Sequence, residues 1–253
     1  MSERNGYEHG VPSWIAGAHA DPDQAAAFYT ELFGWDAERR GDPLVCTLRG
    51  RDVAGFVRGD EPAWRTNVWV ESADKTAQRT EAAGGSVVTA PFDLEGVGRR
   101  TVLADPAGAV FTVSEPGPHR GAQVVNEPGA WAMSALSTPD PEAAKAFYGA
   151  VFGWETDTFP VGDAEFILWR LPGFEGGEPQ QPVPADVVAV GAPGEQPRWD
   201  VDLWVEDPDA TAEKTAQLGG TVLMAPMDTP MGRRAVLADP QGGTFSVSRV
   251  KPA

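Results

Sequence analysis

Only a few residue groups in this 253-residue chain could carry chemistry. Asp200 and Asp202 stand two apart, so a strand would present both carboxylates on one face. With Glu206 they are the candidates for general acid or base work. Glu206 and its counterpart Glu71, each following a Trp-Val pair, read equally as charges at a helix start. Of three histidines, His9 falls in a tail and His119 in a Pro/Gly-rich stretch. His19 falls at a strand–helix junction, where a capping or surface role is expected. The single cysteine, Cys46, lies in the apolar run Leu44–Leu48 and reads as a buried thiol, which excludes an intrachain disulfide. The doublets Arg99-Arg100 and Arg233-Arg234 precede strands, and one arginine of each is expected to bond backbone or a carboxylate. A clamp on a ligand carboxylate is the other reading of these doublets. No Ser-His-Asp arrangement, phosphate-binding Gly loop or Cys-Cys metal pair occurs.

The elements that must position these residues are written twice. Phe28-Tyr29 with Phe33-Gly34-Trp35 returns as Phe147-Tyr148 with Phe152-Gly153-Trp154. Trp69-Val70-Glu71 returns as Trp204-Val205-Glu206, Gly84-Gly85 as Gly219-Gly220, and Ala90-Pro91 as Ala225-Pro226. Val102–Pro106 returns as Val236–Pro240. A repeat of this period means two copies of one unit, and each half is long enough to bury its own core.

Within each half the pattern reads strand, helix, strands, then strand, helix, strands. Ser13–His19 is strand-like; Asp21 then caps a helix with Pro22 at its first position, Gln24 three residues after the cap and Gly34 as its stop. Asp140, Pro141 and Gly153 repeat this. A second unit runs from a strand at Thr66–Glu71 through a helix near Ala73–Ala83 to strands at Ser86–Thr89, Arg100–Leu103 and Ala109–Ser114. We expect an α+β chain with domains at 10–116 and 130–250, joined by a linker at 117–129. The halves differ most at 172–197, an insertion rich in Gly, Pro, Gln and Glu that reads as a solvated loop or a flap over a pocket.

The balance of 20 Lys+Arg against 37 Asp+Glu, a formal net charge of -17, disfavours nucleic acid and anionic membrane as partners. With no apolar leader and no run of transmembrane length, a cytoplasmic protein is expected.

A helix bearing Phe-Tyr and ending Phe-Gly-Trp, followed later by an Asp-Pro-x-Gly turn into a last strand, resembles the vicinal oxygen chelate superfamily. That group includes glyoxalases, extradiol dioxygenases and bleomycin-resistance proteins, and the duplicated chain is similar to a tandem two-domain type common in actinobacteria. The resemblance implies two glyoxalase-like domains, each of two βαβββ modules forming a curled mixed sheet around a cleft. Metal-using members carry ligands at four cleft positions. Here those fall on Trp14, Arg65, Thr112 and a residue near Gly55 in the first domain. In the second they fall on Met133, Asp200, Ser246 and a residue near Ala189. Only Asp200 is a metal-ligand type, so neither a metal nor any other cofactor is expected.

Taking those positions as inward, alternation adds Asn67 and Trp69 in the first domain and Asp202 and Trp204 in the second. Trp14, Arg65, Asn67, Trp69, Thr112, Met133, Asp200, Asp202, Trp204 and Ser246 are therefore the expected ligand-binding residues. Two carboxylates on one inward face need a cation, an arginine or an open mouth. Nine tryptophans suit stacking on a planar, hydrophobic and possibly cationic molecule. The expected function is metal-independent binding of such a molecule, in antibiotic sequestration or an accessory role in natural-product biosynthesis. A glyoxalase-like lyase, isomerase or hydroxylase-type enzyme and a structural module with filled clefts are the other readings. We expect one working pocket, in a monomer whose halves pair within the chain or in a homodimer.

Overall fold

The computed structural model describes residues 4–40, 43–161, 164–176 and 183–250. The first half contains β1 (Pro12–His19), α1 (Pro22–Phe33), β2 (Asp36–Arg39), β3 (Leu44–Leu48) and β4 (Arg51–Arg58), then β5 (Ala63–Trp69), α2 (Ala73–Ala82), β6 (Ser86–Leu94), β7 (Gly98–Ala104) and β8 (Val110–Ser114). The second half repeats the order as β9 (Trp131–Thr138), α3 (Pro141–Phe152), β10 (Glu155–Val161), β11 (Ala164–Arg170) and β12 (Val187–Pro193), then β13 (Arg198–Trp204), α4 (Pro208–Gln217), β14 (Thr221–Thr229), β15 (Gly232–Ala238) and β16 (Thr244–Val250). Each half forms an eight-stranded mixed sheet, ordered β2-β3-β4-β1-β5-β8-β7-β6 and β10-β11-β12-β9-β13-β16-β15-β14. Each is therefore two βαβββ modules joined through their opening strands.

Helix α1 starts where Asp21 accepts the Gln24 N–H at 3.0 Å and stops at Gly34, whose φ of 73° suits glycine best. The Asp21 N–H is taken not by Gln24 but by the Gln241 side chain of the other half, at 3.0 Å. Strands β6 and β14 run past Ala90-Pro91 and Ala225-Pro226, beyond the four residues expected, because register shifts absorb the proline. Both are edge strands, where a missing N–H is tolerated. The expected insertion at 172–197 contains β12, so the irregular segment is shorter; its residues 177–182 lie outside the described residues.

The two halves share their cores. One cluster joins Ile15, Phe28, Tyr29, Trp35 and Phe56 of the first half to Val201, Leu203, Leu237 and Phe245 of the second. The other joins Val68, Leu103 and Phe111 to Phe147, Tyr148, Trp154 and Trp169. Reciprocal hydrogen bonds accompany the exchange. The Tyr29 hydroxyl donates to Asp239 at 2.9 Å, and the Tyr148 hydroxyl donates to Asp105 at 3.1 Å. The Trp35 indole donates to the Gly129 carbonyl at 2.7 Å, and the Trp154 indole to the Gly10 carbonyl at 2.7 Å. The duplicated Phe-Tyr, Phe-Gly-Trp and Asp-Pro motifs are thus the two sides of one interface.

Candidate functional site

The second cleft is a cavity of about 380 Å³. Strand β9 supplies Met133, Ala135 and Ser137; β13 supplies Asp200, Asp202 and Trp204; β16 supplies Ser246 and Ser248. The register explains the grouping: Asp200 lies opposite Ala135, Asp202 opposite Met133, and Asp202 beside Ser246. Every second residue of three adjacent strands then faces the same space. Phe166, Val190, Met231, Val236 and Phe245 make the rest mostly apolar.

Each carboxylate has an arginine beside it. Arg198 Nε donates to Asp200 at 2.9 Å. Asp202 accepts the Ser246 hydroxyl at 2.6 Å and also the Ser248 hydroxyl, and Arg234 Nε lies 3.7 Å away. Arg234 further donates to Ser246 at 3.1 Å. The doublets therefore divide their labour. The first arginine of each binds a helix-start carboxylate outside the cleft: Arg99 bonds Asp74 at 2.6 Å, and Arg233 bonds Asp209 at 2.5 Å. The second arginine, Arg100 or Arg234, lines a cleft.

The first cleft is nearly closed, with about 30 Å³ remaining. Trp14 fills it: a Cβ placed on Gly55 would stand only 3.1 Å from the indole. The His119 ring meets Trp14 edge-on at 4.4 Å. Asn67 is buried and bonded through both amide atoms, accepting from Thr112 at 3.0 Å and Ser114 at 2.7 Å and donating to Ser13 at 3.0 Å. Thr112 is buried with it. Trp69 lies outside this cavity, against Tyr7 at 6.2 Å in a shallow groove under the N-terminal arm. Arg65 is half-buried, and burial holds its guanidinium below the usual range.

Of the expected ligand-binding residues, Met133, Asp200, Asp202, Trp204 and Ser246 share the open cleft. Trp14 occupies the closed one, and Arg65, Asn67, Trp69 and Thr112 line neither cavity. Glu206 is exposed and outside the cleft, so Asp200 and Asp202 are the acid/base candidates that the structure brings together. The position expected near Ala189 is Val190: it pairs with Ala135 as Gly55 pairs with Ala16, while Ala189 faces the core. The tryptophans are not gathered at one cleft: eight of the nine are buried, seven of them in the two shared cores, and Trp204 lines the open cleft.

Two histidines depart from expectation. His19 is neither cap nor surface residue; it is fully buried, with Nε2 2.6 Å from Asp239 across the interface. His119 lies on the closed cleft, although nothing periodic in the linker announces it. Cys46 is buried as expected, and burial pushes its thiol up to about 12.

The four metal-ligand positions of the open cleft hold Met133, Val190, Asp200 and Ser246. One carboxylate, already bound by Arg198, does not make a divalent-metal site, which needs three or four anionic or imidazole donors. Among the described residues no group of three His, Cys, Asp or Glu could hold an ion. No helix among them is long and apolar enough to cross a membrane.

A family profile described as glyoxalase-like domain matches twice, at residues 14–114 and 133–248. The chain is 35% identical to CFP32 of Mycobacterium tuberculosis, provisionally named a glyoxylase, over 100% of this chain and 99% of that protein. It is also 35% identical to the anthracycline biosynthesis protein DauV of Streptomyces sp. strain C5, over 96% and 94% respectively. Among solved structures, the Mn(II)-bound glyoxalase of Novosphingobium aromaticivorans superposes with a TM-score of 0.68 at 18% identity, covering 95% of this chain and 82% of its own. That likeness concerns the fold alone.

Proposed function

Since the chain belongs to the glyoxalase-like domain family, we propose that its second cleft binds a planar, largely hydrophobic small molecule without the help of a metal. The carrying observation is the 380 Å³ cavity itself, mostly apolar, with Trp204 and the Asp202–Arg234–Ser246 cluster among its lining. Such a mixture of apolar wall and few polar groups is the usual make-up of a small-molecule site. The volume falls at the lower end of the roughly 300–1,000 Å³ typical of ligand pockets. The indole offers a stacking face, while the polar cluster offers donors and acceptors to hydroxyl or carbonyl groups at one edge of the ligand.

Because Asp200 and Asp202 are matched by Arg198 and Arg234, the cleft has no surplus negative charge among these four groups. A basic substituent on the ligand would have to displace an arginine. DauV and DnrV, both named anthracycline biosynthesis proteins, support an accessory role toward an aromatic natural product, with sequestration of such a compound as the other use of the same site.

Isothermal titration against a panel of aromatic polyketides and glycosylated antibiotics tests the proposal, and no binding across the panel would sink it. Trp204→Ala should weaken binding by about 2- to 10-fold, the loss of an aromatic pair worth about 0.5–1.5 kcal/mol. Elemental analysis of purified protein should find no stoichiometric Zn, Mn, Ni or Fe.

A catalytic reading has one specific observation in its favour. Asp202 is held by two hydroxyls and an arginine, an arrangement that fixes a carboxylate as an acceptor for a substrate proton. Asp202→Asn distinguishes the readings: binding retained with a turnover lost indicates an enzyme.

A further inference from the structure

The two clefts differ most in what faces their inward arginine. Strand register makes Arg100 and Arg234 equivalent, each opposite the serine of the neighbouring strand, Ser114 and Ser248. Asn67 and Asp202 are likewise equivalent, each beside the hydroxyl residue Thr112 or Ser246. In the second domain Arg234 therefore has a carboxylate. In the first it has an amide whose groups are already taken by Ser13, Thr112 and Ser114. Among the described residues the Arg100 guanidinium has no hydrogen bond and no ion pair, and neither has that of Arg65, which takes the place of Asp200.

His119, which lines this cavity together with Arg100, is also a donor without an acceptor among the described residues. His119 Nδ1 accepts the Gly121 N–H at 3.4 Å. Burial, opposed by Asp52 and reinforced by Arg100 and Arg40, lowers the pKa of the ring, so its neutral form prevails at neutral pH. The proton of that neutral ring then sits on Nε2, which is buried with no partner. Asp52, the carboxylate acting on His119, is itself held by Arg40 at 2.8 Å through both oxygens. Burial and the charge of Arg65 push Arg100 down to about 10, which leaves it charged at neutral pH. Arg100 and His119 thus bring donors to one cavity where no acceptor among the described residues bonds them, in a protein whose overall charge of -17 repels anions elsewhere.

We propose that the closed cleft of the first domain is an anion site, in which a halide-sized monoanion is held between the Arg100 guanidinium and the His119 Nε2–H under the indole of Trp14. The remaining volume of about 30 Å³ admits one or two water-sized bodies. It excludes a phosphate ester or an organic acid with a body behind its carboxylate. Water could fill the space but would not neutralise the charge of Arg100, which Arg65 opposes.

Thermal unfolding in chloride and in gluconate at one ionic strength tests this, because gluconate is too large for the cavity. Chloride at about a hundred times its dissociation constant should raise the midpoint by roughly 5–10 °C over gluconate. Crystals soaked in bromide should show an anomalous peak between Arg100 and His119. Asn67→Asp, which restores the carboxylate of the second domain, should abolish the chloride-specific rise while the protein stays folded; Arg100→Met should abolish it as well. Equal midpoints in the two salts, a bromide peak elsewhere, or a chloride response that survives Asn67→Asp would each overturn the proposal.

Discussion

At the residue scale, the aspartate of each Asp-Pro turn has two roles. One oxygen of Asp105 accepts the N–H groups of Ala107, Gly108 and Ala109 and closes its own turn, while the other receives Tyr148. Asp239 does the same with Gln241, Gly243 and Tyr29, and adds His19. Tyr29→Phe removes a donor to a buried carboxylate and the acceptor of the Trp64 indole. It should cost about 1–3 kcal/mol, read as a lower midpoint in thermal unfolding. Burial alone would raise the Asp239 carboxyl, but hydrogen bonds and charge from His19, the Gly243 N–H and Tyr29 outweigh it and hold it below the usual range. A depressed carboxyl stabilises the fold above its unfolded pKa, about 3.9, and that stability is lost as pH falls through the folded value. Denaturant titrations between pH 6 and pH 2 should therefore show a steeper acid loss in the parent than in Asp239→Asn.

At the element scale, the local signals were legible in the sequence because they are chemical. Asp21 and Asp140 as caps, Pro at the first turn, and Gly34 and Gly153 as left-handed stops stand where composition and periodicity put them. Asp140→Ala, which frees the Ala143 N–H, should cost about 1 kcal/mol, measurable as a fall in the denaturation midpoint. The inward face of β13 was also legible, since alternation carries Asp200, Asp202 and Trp204 to one side. Contacts between distant segments were not. No local pattern says that Trp14 fills its cleft while Met133 leaves its own open, or that the linker turns His119 onto Trp14. Those outcomes depend on packing between segments about a hundred residues apart. The surplus of tryptophan pointed toward a ligand, whereas most of these indoles lie in the two shared cores.

At the scale of the whole molecule, each core is completed by residues of the other half. Helix α1 packs on β1, β3 and β4 of its own half while Phe28 and Tyr29 meet Phe245 of the other, and Phe147, Tyr148 and Phe152 of α3 meet Phe111. Calorimetry should therefore show one cooperative unfolding transition and not two. Fragments 10–116 and 130–250, prepared separately, should be unfolded or self-associated and should form a one-to-one complex when mixed. A fragment that is folded and monomeric would contradict shared cores.

The reciprocal clasp of Tyr29 on Asp239 and Tyr148 on Asp105 has a consequence for what the molecule was free to become. In a pair of identical subunits every substitution is made twice, so a carboxylate gained in one cleft is gained in both. Covalent fusion breaks that symmetry while the clasp preserves the geometry. One copy can then carry arginine where the other carries aspartate, and His19 joins one clasp while Thr138 stands at the matching place in the other. A duplicated chain in this way carries one repeated shape with two different sets of cleft side chains.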